Sequence, residues 1–218
     1  MTDPRLFRLR ATFIEEGRLA MLSHLEVAHT LERVVRRAKL PFAISQGFSP
    51  HMKIAFGAAL PVGVGSTCEI FDLQLTEYVA PAKALAALQA ASVPELMVQE
   101  CHYIEHNATA ASVAFPFSTY EVVFDRAIEA IEVPESVTVV RKRKEKTLVV
   151  GDFLAKPFVL EGNKAVFTLE AKPTGSLRPD LLLAHCTFER CSGCGVCMRL
   201  GVDNQLAQPR VLGGARND

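Results

Sequence analysis

The stretch Ser23-His24-Leu25-Glu26 constrains the fold of this chain more than any other. Ser followed three residues later by Glu is a capping box, so a helix starts there. The pattern carries that helix to about Lys39, with Pro41 just past its end. Upstream, over residues 5–13, Phe7, Leu9, Ala11 and Phe13 alternate with Arg8, Arg10 and Thr12, the period of a half-buried strand. Glu15-Glu16-Gly17 reads as a turn, and Leu19–Leu22 as a short returning strand. After the helix, residues 42–53 (FAISQGFSPHMK) are rich in turn formers and read as a loop. A strand follows at Ile54–Leu60, "PVGVGS" breaks it, and a second strand spans Thr67–Thr76. Pro81 opens an alanine-rich helix to Ala91, and residues 96–105 return as a strand. Strand, helix, strand, strand, helix, strand is the split βαβ, or ferredoxin-like, order with an antiparallel sheet.

A second half is expected to repeat this theme. Residues 106–112 (HNATAAS) read as a linker after a first half of residues 1–105. Residues 113–185 then hold a strand near 117–124, a short helix near 125–132 and a strand at 137–142. Two hairpins follow, the second turning at Glu161-Gly162-Asn163, and a helix starts near Pro179. The fold class expected is α+β, with two ferredoxin-like halves. A cysteine-rich segment (186–202) and a disordered tail (203–218) complete it.

Hydrophobic residues make up 49% of the 218, enough for packed cores, yet no run approaches the ~18 apolar residues of a membrane span. The N-terminal arginines are followed by Glu15 and Glu16 rather than an apolar leader. A cytoplasmic protein with no membrane partner is expected. The formal net charge is zero but segregated: residues 1–60 sum to +4, residues 61–138 to −9 and residues 139–218 to +5. Two basic blocks flank an acidic one, which suits a polyanion on one face or attraction between the blocks.

The first basic block holds the candidate binding residues. On a helix over 24–39, Leu25, Ala28, Leu31, Val35 and Ala38 form one apolar stripe. His29, Arg33, Arg36 and Arg37 lie elsewhere, and Arg33 and Arg37 stand one turn apart. Cations near a helix C-terminus also complement its dipole, so the row points to function only together with the loop behind it. That loop presents Ser45, Gln46, Ser49, His51 and Lys53 around Gly47, with Phe48 poised to stack on a base or fill the core. Guanidinium groups grip phosphates or carboxylates. His24 and His51 with Lys53 also contain the groups that metal-independent RNA cleavage needs. A second basic run, RKRKEK at 141–146, places Arg141 and Arg143 on one strand face and reads either as a solvated hairpin tip or as an extension of the phosphate-binding patch.

Cys68 and Cys101 sit in apolar runs and read as small hydrophobes. The other four thiols, Cys186-x4-Cys191-x2-Cys194-x2-Cys197, are crowded around Gly193 and Gly195. The last three match the start of a bacterial ferredoxin motif, with Cys186 closing the set. An iron–sulfur cluster is expected, with structural zinc as the alternative.

The segment SHLEVAHTLERVVRRAKLPFAISQGFSPHMKIAFGAALPVGVGSTCEIFDLQL resembles the radical-SAM-linked protein family (domain of unknown function 2344). The residues that carry the likeness are Ser23-His24-Leu25, Arg33, Arg36-Arg37-Ala38, Pro41, Ser45 to His51, Leu60-Pro61, Gly63, Glu69 and Asp72. It is dense over residues 5–76 and thins towards 185, where VTVVRKRKEK and SLRPD fit best. Glu26 stands where the family usually has Asp, a change a capping role tolerates. The cysteine cluster is not a general feature of the domain. The resemblance implies a partner, a radical S-adenosylmethionine (SAM) enzyme, and no reaction for this chain.

The leading expectation is therefore a non-catalytic accessory module that binds an anionic substrate, RNA such as tRNA, and presents it to the partner. His24, His29, Arg33, Arg37, Ser45, Gln46, His51, Lys53, Arg141 and Arg143 are the candidate contacts. A ribonuclease using His24 and His51, and an iron–sulfur electron carrier, are the alternatives. The element order of the chain is similar to that of RNA-processing proteins with tandem ferredoxin-like halves.

Overall fold

The computed structural model describes residues 6–141, 144–190 and 208–211. The chain forms two compact units, Met1–Phe115 and Pro116–Asp218. Both contain antiparallel sheet, and helices are few.

The first unit runs β1 (Phe7–Glu15), α1 (His24–Arg37), β2 (Ile54–Phe56), β3 (Gly65–Leu75), α2 (Pro81–Ala91) and β4 (Val98–Tyr103). Its strands lie in the order β4-β1-β3-β2, every neighbour antiparallel. That is the order a split βαβ chain produces. Leu9, Ala11, Phe13, Phe71, Leu73 and Leu75 point to one face, where Val27, Leu31 and Val35 of α1 and Ala84 and Leu88 of α2 cover them.

Two local expectations need correcting. Residues Gly17–Met21 form a 3-10 turn, not a strand, and Gly17 takes a positive φ of 57°. The apolar stripe of α1 is also rotated. Val27, Leu31, Val34 and Val35 are buried at i, i+4, i+7 and i+8, whereas Leu25 is 70% exposed. Backbone pairing with β3 and β4 holds both edges of β1, and a polar cluster adds to it. Even-numbered Arg8 and Arg10 point to the face opposite the helices, where they meet Asp72 of β3. Their remaining N–H groups bind the carbonyls of Ala108 (2.7 Å) and Thr109 (2.9 Å). The segment read as a linker is thus tied to the first unit, and α3 (Ala111–Ala114) follows it against β2 and β3.

The second unit contains β5 (Phe117–Val123), β6 (Ile128–Glu132), β7 (Ser136–Arg141), β8 (Lys144–Val149), β9 (Leu154–Glu161), β10 (Lys164–Glu170), α4 (Pro179–His185), β11 (Thr187–Arg190) and β12 (Gln208–Val211). β12, β5, β10 and β9 are successive neighbours, β11 pairs with β6, and β7 with β8. Tyr120, Phe158 and Phe167 stack at the centre of the larger group. The helix expected near 125–132 is the strand β6, so this half is not a second split βαβ unit. Its alternating Ile128, Ala130 and Glu132 pair with β11, and cross-strand pairing overrides the modest helix propensity of Ala and Glu. The hairpin turn at Glu161-Gly162-Asn163 is present, with Gly162 at φ 63°. In the tail read as disordered, Gln208–Val211 form a strand on β5. The rest of 203–218 lies outside the described residues. Among the described residues no helix is long and apolar enough to cross a membrane.

Candidate functional site

The helix that opens with Ser23 is capped as its sequence requires. The Glu26 carboxylate accepts the Ser23 N–H at 2.8 Å and the Ser23 O–H at 2.7 Å. Those two bonds hold the Glu26 carboxyl below its ordinary pKa. Packing Val27, Leu31 and Val34 on the sheet turns His29, Arg33, Arg36 and Arg37 to solvent. Arg36 reaches Glu32 one turn back at 3.3 Å. Arg33 and Arg37 have no carboxylate partner among the described residues. Two guanidinium groups one turn apart, open to water and unpaired, can meet two phosphates or carboxylates without breaking an existing bond.

The connector behind the helix is a small backbone-tied loop. The Ala43 N–H binds the Gln74 carbonyl, Lys53 N–H binds the Ala43 carbonyl, and Ser45 N–H binds the His51 carbonyl, each at 2.8 Å. Ala43 and Met52 are buried beneath it. These anchors leave residues 46–51 wholly outside the core, turned by Gly47 at φ 138°. Phe48 is fully exposed at the tip, so it does not fill the core. His51 is held: its N–H donates to Ser45 Oγ at 3.0 Å, and its Nδ1 lies 2.9 Å from Ser45 Oγ and 3.2 Å from the Ser49 carbonyl. Nε2 is then the ring nitrogen with no partner among the described residues. Gln46 is exposed and Lys53 partly buried.

His24 goes elsewhere. As the first residue of α1 it sits edge-on to Phe56, ring centroids 5.8 Å apart, and lines a cleft with Phe13, Glu15, Val27, Gly57, Ala58, Leu60, Glu69 and Ile70. The cleft is small, with a volume of about 10 Å³, room for about one water. Phe13 pairs with Glu69 across β1 and β3, and Glu15 pairs with Ser66 after an irregularity in the register. Both carboxyls therefore stand on the apolar, helix-covered face of the sheet. Glu15 is 5% exposed and has no hydrogen bond or opposite charge among the described residues. Burial pushes its pKa up to about 7. Glu69 is also raised to about 7, chiefly by burial and further by the Glu15 charge, with a hydrogen bond from the Ser66 side chain acting the other way. Gly57 leaves room here: a Cβ there would stand 3.2 Å from Ile70 Cγ1 and 3.9 Å from Glu69 Oε2.

The sequence reading does not single out this carboxyl pair. Two signals pointed to it. Glu15 continues the inward series Leu9, Ala11, Phe13, and Glu69 begins the inward series that Phe71, Leu73 and Leu75 continue. The structure does not join His24 to His51 as a reacting pair; His24 contacts Phe56, and His51 contacts Ser45 and Ser49. Arg141 ends β7 and pairs with Lys144, the first residue of β8, while Arg143 lies outside the described residues.

Cysteines divide as well. Cys101 is buried as expected, and burial with the Glu100 charge raises its thiol to about 11. Cys68 is exposed instead, because it falls on the outer register of β3. Cys186 caps the C-terminus of α4, partly buried, its thiol raised to about 11 by burial. Cys191, Cys194 and Cys197 lie outside the described residues. Among the described residues no three His, Cys, Asp or Glu side chains converge as a metal site.

A family model described as an uncharacterized protein conserved in bacteria (DUF2344) matches residues 8–179. The chain belongs to this family. Comparison with the curated proteins finds no match. In this DUF2344 chain the matched span includes α1, the connector, Glu15, Glu69 and the Arg8–Arg10–Asp72 cluster. The four crowded cysteines fall beyond it.

Proposed function

We propose that the first unit binds RNA through α1 and the connector, and that it does so as an accessory module without chemistry of its own. The observation that carries this reading is Phe48, fully exposed at the tip of a loop whose base is tied by backbone hydrogen bonds. A free aromatic ring on a fixed loop is costly in water and suits stacking on an unpaired base. The loop follows directly on a helix that offers His29, Arg33 and Arg37 to solvent. Phosphates would sit on that row, and Ser45, Gln46, His51 and Lys53 would meet the sugar or base edges. Arg141 and Arg143 stay candidates for phosphate contacts on the strength of their sequence alone. A radical SAM enzyme, implied by the family resemblance, would act on the RNA so held.

The test is fluorescence anisotropy with labelled tRNA over a range of salt. Micromolar binding that weakens steeply as salt rises is expected. Absence of binding at low salt, or an affinity indifferent to salt, would sink the reading.

The cysteine segment supports a separate proposal: Cys186 with Cys191, Cys194 and Cys197 holds an iron–sulfur cluster or zinc, as their spacing suggests. Metal analysis and an absorption spectrum of anaerobically purified protein distinguish the two metals. Protein that carries neither excludes both.

A further inference from the structure

His51 is exposed, yet one edge of its ring is fixed. The connector is closed at its base by the bond from the Ser45 N–H to the His51 carbonyl and by pairing of Ile44 with Met52. Pro50, with its restricted φ, joins Ser49 to His51. Within this frame Nδ1 meets two oxygens, the Ser49 carbonyl at 3.2 Å and Ser45 Oγ at 2.9 Å. A carbonyl oxygen has no proton to give, so that contact is favourable when Nδ1 carries one. Ser45 Oγ can receive the same proton. It has two lone pairs, and the His51 backbone N–H at 3.0 Å takes only one of them.

A neutral imidazole carries a single N–H. With that proton on Nδ1, Nε2 keeps a bare lone pair, and it has no partner among the described residues. An ionised phosphate oxygen is an acceptor too, so the two cannot share a hydrogen bond. The guanidinium groups of Arg33 and Arg37 have the reverse character, donors only. The helix row and the connector therefore suit different parts of a nucleotide. A bare Nε2 needs a donor, and a ribonucleotide has two kinds, the N–H of its base and the 2′-O–H of its ribose.

We propose that His51 is the specificity-determining residue of the connector: held as the Nδ1–H tautomer, it accepts through Nε2 a hydrogen bond donated by the bound nucleotide, and it makes no phosphate contact. This rests on the RNA reading of α1 and the connector, and adds to it which group of the nucleotide is read. The donor is a base N–H or a ribose 2′-O–H; the acceptor chemistry is the same for both.

Two measurements on the full chain at pH 8, above the ordinary histidine range, test this. The first needs no RNA. Two-bond proton–nitrogen NMR correlations, with His51 assigned by their loss in His51→Ala, should show the Nδ1–H tautomer. A dominant Nε2–H form overturns the proposal and leaves the RNA reading untouched. The second is fluorescence anisotropy with a short labelled oligouridylate, its N3-methyl analogue, which lacks the base N–H, and its 2′-deoxy analogue, which lacks the ribose donor. One analogue should bind the wild type roughly two- to tenfold more weakly than the parent, the loss of one hydrogen bond. That penalty should vanish in His51→Ala, checked for native circular dichroism, whereas a steric clash with the methyl group would persist there. Whichever analogue behaves so identifies the donor. His51→Ala should also leave the salt slope of binding unchanged, since no phosphate contact is lost. The proposal is overturned if both analogues bind like the parent, if their penalties are the same in His51→Ala, or if that variant makes the salt slope shallower by about one. Absence of oligouridylate binding at low salt also overturns it, and takes the RNA reading with it only if tRNA fails to bind as well.

Discussion

Two sets of arginines in the first unit share a side chain and almost nothing else. Arg8 and Arg10 end on a single carboxylate: Arg10 grips Asp72 bidentately at 2.7 and 2.9 Å, and Arg8 adds a third bond at 2.7 Å. Asp72 is 3% exposed, and the guanidinium of Arg10 also lies 5.9 Å from the Phe115 ring centroid. Arg33 and Arg37 stand in water with no such partner among the described residues. The difference arises from backbone period alone. On β1, alternate residues pass through the sheet, so an arginine opposite Asp72 is locked into structure. On α1, the face left over after Val27, Leu31 and Val34 pack is solvent, so an arginine there is left available. Counting basic residues merges the two sets, whereas strand and helix parity separates them.

The largest effect should come from the buried set. Asp72→Ala leaves two guanidinium groups near each other and away from water, with a cost of about 3–5 kcal/mol. Urea denaturation measures it; a loss below about 1 kcal/mol would mean that the cluster is solvated and the contrast false.

Next comes the carboxyl pair, whose burial should appear as an unusual pH response. Glu15 and Glu69 titrate near 7 when folded and near the ordinary 4.5 when unfolded. Between those values the folded chain holds more protons, so their contribution to stability falls as pH rises from about 4.5 through 7 and levels off above. Glu15→Gln should remove part of that slope and gain most over the wild type at pH 8. Equal urea midpoints for the two proteins at pH 5 and pH 8 would exclude it.

Phe48→Ala touches no packed atom, so stability should stay within about 0.5 kcal/mol. RNA affinity should fall by about 1–3 kcal/mol if the ring stacks on a base. Unchanged anisotropy titrations would remove Phe48 from the site. Smallest in stability terms is the open arginine pair. Arg33→Ala with Arg37→Ala should leave the urea midpoint almost unmoved while making the salt slope of RNA binding shallower by about 2. A large loss of stability in this double variant would place these arginines with Arg8 and Arg10.

Much of this was legible beforehand where one local rule decides the outcome. The capping box of Ser23 and Glu26, the N1 proline of α2 and the Gly162 turn each satisfy nearby backbone groups, so their sequence signal is complete within a few residues. Residues 125–132 were misread because Ala and Glu favour a helix locally, while the pairing with β11 that makes them a strand is supplied from more than fifty residues away. Leu25 was misread because a short helix offers two overlapping apolar stripes, and the sheet chose the one through Val27 and Val34.

From the sequence by itself came the order of elements in the first unit, the solvent-facing row of cations and the family to which the chain belongs. Tertiary structure alone decided that Glu15 and Glu69 meet in one apolar cleft, that His24 joins them rather than His51, and that Asp72 holds two arginines. Periodicity is a property of a single segment, and it can be read there. Burial of a charge depends on which distant strand lies opposite, and that register exists once the sheet has closed.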